Sequence, residues 1–366
     1  MEERLSAAGG ELAAEVRAGV ATVTLNRPAA LNALSLGMLE GLARWLAAWS
    51  RDERVRVVVL RGAGDKAFCA GGDVRALREG FLRSGIAMLH FFEVEYELDF
   101  RIHTYPKPLV AIADGIVMGG GMGLAQGAAL RVVGDRTRMA MPETAIGLFP
   151  DVGGSFFLPR LPGRLGAYLG LLGPTIGATD AIHCGLADAY VAPAEVGVLE
   201  ASLEAVAASR APSAALRTLT PSQDSGMLPT GELEHLRPAI DRHFAHDSIE
   251  GILDSLERES DPRYADWAQR SLQSLARRSP MMLKVTLEQL RRGASLSLAD
   301  CFRMELGLIH ACFEQGDLLE GIRALVVEKD NKPRWNPPTL AQVDGAAVER
   351  FFTPRWSQAG HPLAHL

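Results

Sequence analysis

Two apolar runs constrain this chain most: VRVVVLRG at residues 55–62 and PLVAIADG at 108–115 each read as a strand buried on both faces. Such strands need a covering layer on either side, so the expected class is α/β. Each run also leads into a Gly-rich segment. GAGDKAFCAGGDV follows the first, and GGGMGLAQGAALRVV, which begins as a helix, follows the second. Ahead of them, residues 11–25 alternate as two strands around a turn at Ala18-Gly19. Ser35 then caps a helix that carries Leu36, Leu39, Leu42, Leu46 and Trp49 at helical spacing. The pattern is ββα winding without sequence repetition. Phe81 to His103 adds a long amphipathic helical pattern, and TDAIHCGLADAYV reads as a short helix and strand that close the α/β part.

These elements give a core over residues 1–205. In residues 206–232, Pro, Ser, Thr and Ala cluster as in a linker or surface excursion. From 233 to 366 the chain reads as a helical region, with helices around 233–257, 263–278, 280–292 and 296–315. That helical layer is a candidate surface for homo-oligomer assembly, although apolar stripes alone do not separate contacts within a chain from contacts between chains.

A chain of 366 residues with 48% hydrophobic content can bury a large core. Its net charge of -6 and lack of a Lys/Arg run give no field for nucleic acid or an anionic membrane. Apolar stretches are cut by Gly and Pro before the roughly 20 residues that span a bilayer. The four cysteines, Cys69, Cys184, Cys301 and Cys312, are scattered, with no CxxC pair or nearby His cluster. The N-terminal stretch lacks a continuous apolar h-region. Reduced thiols and the absence of a signal pattern point to a cytoplasmic protein.

Three segments carry candidate chemistry: KAFCAGGDV at 66–74, DGIVMGGGMGLA at 114–125 and AMPETAIGLFPDVGG at 140–154. Gly119, Gly120 and Gly121 lie where a buried strand gives way to a helix, so their backbone N–H groups can face an incoming oxygen. Gly72 offers a second bare amide from another loop, and two such donors suit the oxyanion of an acyl transfer. The plain alternative for each glycine set is a tight turn or close packing. A dinucleotide fingerprint is weakened because no acidic residue ends a second strand where the ribose partner belongs. Glu143 and Asp151 lie in apolar surroundings that perturb carboxyl pKa values, and as a pair they can activate water and hold a proton. By residue type alone, Glu143 is equally a turn carboxylate, and Asp151 equally the cap of a helix near Val152.

Taken jointly, VTLNRPAALNAL, FCAGGD, GIVMGGGMGLA and MPETAIGLFPDVGG, in this order and spacing, resemble the crotonase (enoyl-CoA hydratase/isomerase) superfamily over roughly residues 12–200. The resemblance implies a spiral of ββα units with a C-terminal helical region, and an acyl-CoA thioester as substrate. It also implies an oxyanion hole from the amides of Gly72 and Gly120. Hydratases of the superfamily carry one catalytic Glu two residues after the Gly-Gly-Gly and a second in the later PE motif. Here the first position is Gly123, while the second acid is present as Glu143. PETAIGLFPDVGG instead resembles the active-site segment of 3-hydroxyisobutyryl-CoA hydrolases. The match makes Glu143 and Asp151 the catalytic carboxylates and Glu95 the acceptor for the substrate 3-hydroxyl.

SPMMLKVTLEQL, MELGLIHACF and DLLEGIRALVVEKDNKPRW extend that second resemblance into the C-terminal half. Residues 206–232 and the tail after Pro337 match nothing of use, and Ala29 stands where many relatives have a Lys near CoA. The implied activity is hydrolysis of a short-chain 3-hydroxyacyl-CoA, as in valine catabolism, with no metal or redox cofactor and with CoA as part of the substrate. Two rival expectations are an enoyl-CoA hydratase or isomerase, and a non-catalytic acyl-CoA-binding or scaffold protein.

Overall fold

The computed structural model describes residues 3–219 and 230–366. It forms two compact units, each built from separate stretches of chain. The first comprises Met1–Asp73, Glu97–Ala140 and Thr175–Gly231; the second comprises Val74–Tyr96, Met141–Pro174 and Glu232–Leu366.

Both sheets belong to the first unit. The strands are β1 (Glu3–Ala7), β2 (Leu12–Arg17), β3 (Val20–Leu25), β4 (Val57–Gly62), β5 (Ala67–Cys69), β6 (Leu109–Ile112), β7 (Ile116–Met118), β8 (Leu130–Val133), β9 (Arg138–Ala140) and β10 (Ala189–Tyr190). One sheet has the order β1-β2-β3-β4-β6-β8-β10 and the other the order β5-β7-β9. The first three strands pair antiparallel, and from β3 onward every pairing is parallel. Each winding therefore gives one strand to each sheet: β4 then β5, β6 then β7, β8 then β9. This is the ββα spiral expected from the sequence.

The double burial that VRVVVLRG demands is met, since Val57, Val58, Val59 and Leu60 are all buried. On one face, Val57, Val59, Val110 and Val132 form a core with Leu199, Leu203, Val206 and Ala207 of the helix Val196–Ala208. The helix Leu36–Trp49 is the one read from its spacing, and Ser35 Oγ accepts from Met38 N–H at 3.3 Å.

Several elements differ from expectation. β1 was not foreseen, because its residues are mostly exposed and show no apolar alternation. In GGGMGLAQGAALRVV the helix lasts only from Gly120 to Gln126, and the β-branched end becomes β8. The 81–103 pattern resolves into Val74–Ser84, a 3₁₀ turn Gly85–Leu89 and His90–His103. The expected helix 233–257 is two helices, Glu232–His243 and Ile249–Glu257. The second is capped by Ser248, whose Oγ accepts from Gly251 N–H at 3.1 Å. The later helices Ala265–Leu275, Pro280–Gly293 and Leu298–Gln315 fall where expected, in the second unit. Within 206–232, Pro212–Thr218 is a helix that buries Leu216, and residues 220–229 lie outside the described residues. Among the described residues no helix is long and apolar enough to cross a membrane.

The core between sheet and helix gives a direct test. Leu203 is 1% exposed, so Leu203→Ala is expected to destabilise the protein by about 2–5 kcal/mol in denaturant titration.

Candidate active site

The candidate carboxylates are gathered in the second unit. Glu95 lies on the helix His90–His103 and is 3% exposed. Glu143 opens the 3₁₀ turn Glu143–Ile146, where its carbonyl accepts from Leu148 N–H at 3.0 Å. The neighbouring Thr144 hydroxyl donates to the Leu171 carbonyl at 2.9 Å and ties this turn down. Asp151 sits in the next turn, ahead of Val152 and Gly153, both with positive φ (51° and 88°). It does not cap a helix at Val152. The helix there runs Gly154–Phe157 with Gly153 as its N-cap, and only the Asp151 carbonyl takes part, accepting from Gly154 N–H at 2.8 Å.

One residue joining this group was not singled out from the sequence. Tyr96 is fully buried, and its hydroxyl donates to Asp151 Oδ2 at 2.8 Å. Its ring is fixed by Phe302 and Phe92, with centroids 5.7 and 6.1 Å away. Nothing in VEYEL distinguishes it from a core aromatic, since the partner lies 55 residues along the chain.

Burial dominates the electrostatics. It pushes the carboxyls of Glu95 and Glu143 well above the usual carboxylate range, and the negative charge of Asp151 pushes both further. Asp151 rises only to about 6, because the Tyr96 hydroxyl and the local backbone stabilise its ionised form against the same desolvation. The Tyr96 phenol is itself raised, first by burial and then by the charge of Asp151. Asp151, whose rise is the most opposed by hydrogen bonds, is also the group whose charge raises both Glu95 and Glu143. Environments that push neighbouring carboxyls apart in this way separate an acid from a base. Glu95 Oε1 and Glu143 Oε2 are buried and have no hydrogen-bond partner among the described residues. A buried polar atom left unsatisfied costs about 1–3 kcal/mol, which is tolerable where a bound molecule supplies the partner.

The glycines lie in the first unit and are brought together there. Leu34 N–H donates to the Gly71 carbonyl at 2.8 Å, and Asp73 N–H donates to the Leu34 carbonyl at 3.1 Å. This parallel bridge uses the groups flanking Gly72 and turns the Gly72 N–H away from Leu34. Gly120 is the first residue of its helix, so its N–H has no intrahelical acceptor. Gly71, at φ 100°, lets the two loops meet. A Cβ there would stand 3.1 Å from the Met118 carbonyl oxygen and 3.4 Å from Gly120 N.

Two clefts of about 550 and 560 Å³ in the second unit are lined by other residues, among them Phe244 and Lys284 in one and Leu272 and Leu340 in the other.

The model of the enoyl-CoA hydratase/isomerase family matches residues 20–352. The chain is 40% identical over 351 residues to 3-hydroxyisobutyryl-CoA hydrolase, mitochondrial, of Danio rerio, covering 95% of this chain and 91% of that protein. It is 37% identical over 354 residues to the probable 3-hydroxyisobutyryl-CoA hydrolase 2 of Arabidopsis thaliana, covering 94% and 92%. The crystal structure of a carnitinyl-CoA dehydratase from Mycobacterium thermoresistibile superposes with a TM-score of 0.84 at 41% identity, covering 94% of this chain and 96% of that one. These relatives correct one expectation. The vertebrate hydrolases are mitochondrial enzymes, so a cytoplasmic location is not supported. Scattered thiols argue only against an oxidising compartment and do not select one reducing compartment over another. By the extent of these matches, the chain belongs to the enoyl-CoA hydratase/isomerase family.

Proposed function

We infer that this protein hydrolyses the thioester of 3-hydroxyisobutyryl-CoA to the free hydroxy acid and CoA. The observation that carries this is identity of about 40% to hydrolases of that substrate across 95% of the chain. Residue chemistry agrees with it. Gly123 has no side chain to act as the first acid of a hydratase, whereas Glu143 and Asp151 form a buried, electrostatically coupled pair.

On this proposal the thioester carbonyl oxygen accepts from the amides of Gly72 and Gly120, which stabilise the charge that develops when the carbonyl carbon is attacked. Glu143 delivers the oxygen, either as the nucleophile or as the base that activates water; its raised pKa makes it the stronger base once ionised. Asp151 orients the acyl group and shares the proton traffic, and Glu95 binds the 3-hydroxyl through its unpartnered oxygen. The C–S bond breaks, the oxygen from water ends in the carboxylate, and the CoA sulfur leaves and regains a proton.

Thiol release from 3-hydroxyisobutyryl-CoA, followed with a thiol reagent, is expected from the wild type and is expected to fall by about 10² or more in Glu143→Gln. Undiminished turnover removes Glu143 from the chemistry, and loss of enoyl absorbance without thiol release identifies a hydratase instead. The same variant is expected to be more heat-stable. The folded state holds the Glu143 proton above the pH at which an unfolded carboxyl releases it, so wild-type stability declines as pH rises out of the ordinary carboxylate range. Gln escapes that loss. Calorimetry should show Glu143→Gln melting about 2–4 °C higher at pH 8, with the difference closing toward pH 4.

Tyr96→Phe removes a hydrogen bond that favours the ionised cluster, so its ionisations move upward. The acidic limb of the kcat/KM profile is then expected to shift to higher pH by about one unit; an unmoved limb breaks the link between Tyr96 and the reacting acids.

A further inference from the structure

Asp151 is carried on a turn that does not hold its own shape. Val152 is a buried β-branched residue at φ 51°, a conformation that costs of order 1–3 kcal/mol and persists only where the surroundings impose it. The turn ends in the four-residue helix Gly154–Phe157, whose N-cap, Gly153, has no side chain to satisfy the amides that follow.

Two side chains from distant helices supply what is missing. From Leu298–Gln315, Glu305 accepts from Gly153 N–H through Oε2 at 2.8 Å and from Ser155 N–H through Oε1 at 2.9 Å. From Pro280–Gly293, Gln289 Nε2 donates to the Pro150 carbonyl at 2.6 Å and to Ser155 Oγ at 2.8 Å. Glu305 and Gln289 are both 0% exposed. The turn is thus gripped on both sides of Asp151, at Pro150 before it and at Gly153 and Ser155 after it.

Capping alone is a poor reason for using a carboxylate here. A Ser or Asn near the turn could cap this helix without burying another acid. Glu305 instead meets a desolvation penalty and repulsion from Asp151, which together raise its pKa to about 8 even though the two amides and Ser155 favour its charge. A bidentate acceptor fixed on a long helix gives in return a fixed φ at Val152. The Asp151 carboxylate then meets the Tyr96 hydroxyl in one orientation.

We propose that Glu305 is a positioning residue for Asp151: by holding the Gly153 and Ser155 amides it keeps the strained Val152 turn closed and the Asp151 carboxylate in its working orientation. The assignment rests on the hydrolase reading above; Glu305 lies in MELGLIHACF, a segment of the resemblance to which no role was attached. Tolerances at reacting centres are tight, and a displacement of about 1 Å transmitted from outside the chemistry costs up to about 10² in rate.

Glu305→Gln keeps the shape but turns an amide N–H₂ toward one of the two backbone donors. It is expected to lower kcat for thiol release from 3-hydroxyisobutyryl-CoA by about 10-fold or more with KM within about 2-fold. Glu305→Asp, which keeps the carboxyl group but shortens the reach, should fall between this variant and wild type. In an Asp151→Asn background, Glu305→Gln is expected to add no further loss, because a residue acting through another has nothing left to position. Wild-type kcat in Glu305→Gln, or a full multiplicative loss in the double variant, overturns the proposal. If Glu305→Gln does not fold, Glu305→Asp carries the same comparison in both backgrounds. A wild type that releases no thiol rejects the hydrolase reading instead. The crystal structure of the Glu305 variant then decides the positioning role by itself: Val152 leaving positive φ with Asp151 parted from Tyr96 supports it, and an unchanged turn overturns it.

Discussion

Negative charge confined away from water is the constraint around which the second unit is organised. Glu95, Glu143, Asp151 and Glu305 are each at most 5% exposed; burial raises the pKa of all four, and the charge of Asp151 raises Glu95, Glu143 and Glu305 further. Like charges in a low dielectric oppose one another, so the site with the best hydrogen bonds to its ionised form keeps its charge most readily. Asp151 is that site because it has the Tyr96 hydrogen bond. The arrangement sets one carboxylate stabilised by a phenol hydroxyl among carboxyls whose ionisation burial opposes.

Such a site requires a rigid frame, since a loose one would admit water and relax the pKa shifts. The frame here is aromatic and aliphatic. Phe81 packs on Phe313 at 4.8 Å between centroids, Phe313 on Phe92 at 5.9 Å, Phe92 on Tyr96 at 6.1 Å and Tyr96 on Phe302 at 5.7 Å. These rings pin the phenol whose hydroxyl decides the ionisation of Asp151. Packing and electrostatics are therefore not separate contributions at this point. The helix Leu298–Gln315 supplies Phe302 and Phe313 to the stack and Glu305 to the turn, so one element fixes both partners of the Tyr96–Asp151 hydrogen bond.

The legible parts of the sequence are those governed by local rules. β4 and β6 follow from runs of β-branched residues, Leu36–Trp49 from its cap and its period, and the hairpin from Ala18-Gly19. The strand β1 was hidden because an edge strand facing solvent needs no apolar alternation, and the break after His243 needed weight on Ser248 as a second cap. Glu143, Asp151 and Glu95 were ambiguous by residue type and became specific only through the motifs around them. Tyr96 had no local signal, and the segment MELGLIHACF that holds Glu305 pointed to the family without giving that residue a role. Their roles arise from contacts 55 and about 150 residues away along the chain, and a buried Tyr or a Glu on a helix stripe reads the same whether or not it serves a site.

A backbone close to that of a carnitinyl-CoA dehydratase, TM-score 0.84, does not make this chain a dehydratase, because the spiral fixes where loops end and leaves open which acids stand on them. Adding or removing water across a carbon–carbon double bond needs acid–base groups that reach Cα and Cβ, and the superfamily divides that work between two glutamates. With Gly123 at the first position, the helix Gly120–Gln126 presents no titratable side chain at all; its members are Gly, Met, Leu, Ala and Gln. The buried carboxyls are instead those of Glu143, Asp151 and Glu95, with the charge of Asp151 raising the other two. On the proposed reading such a set supplies the base for attack at a carbonyl carbon, while the first of the two hydratase acids is missing at Gly123. On the proposed hydrolase reading, the side chain missing at Gly123 and the aspartate carried on the strained turn at Val152 place the chemistry at the thioester rather than along the acyl chain.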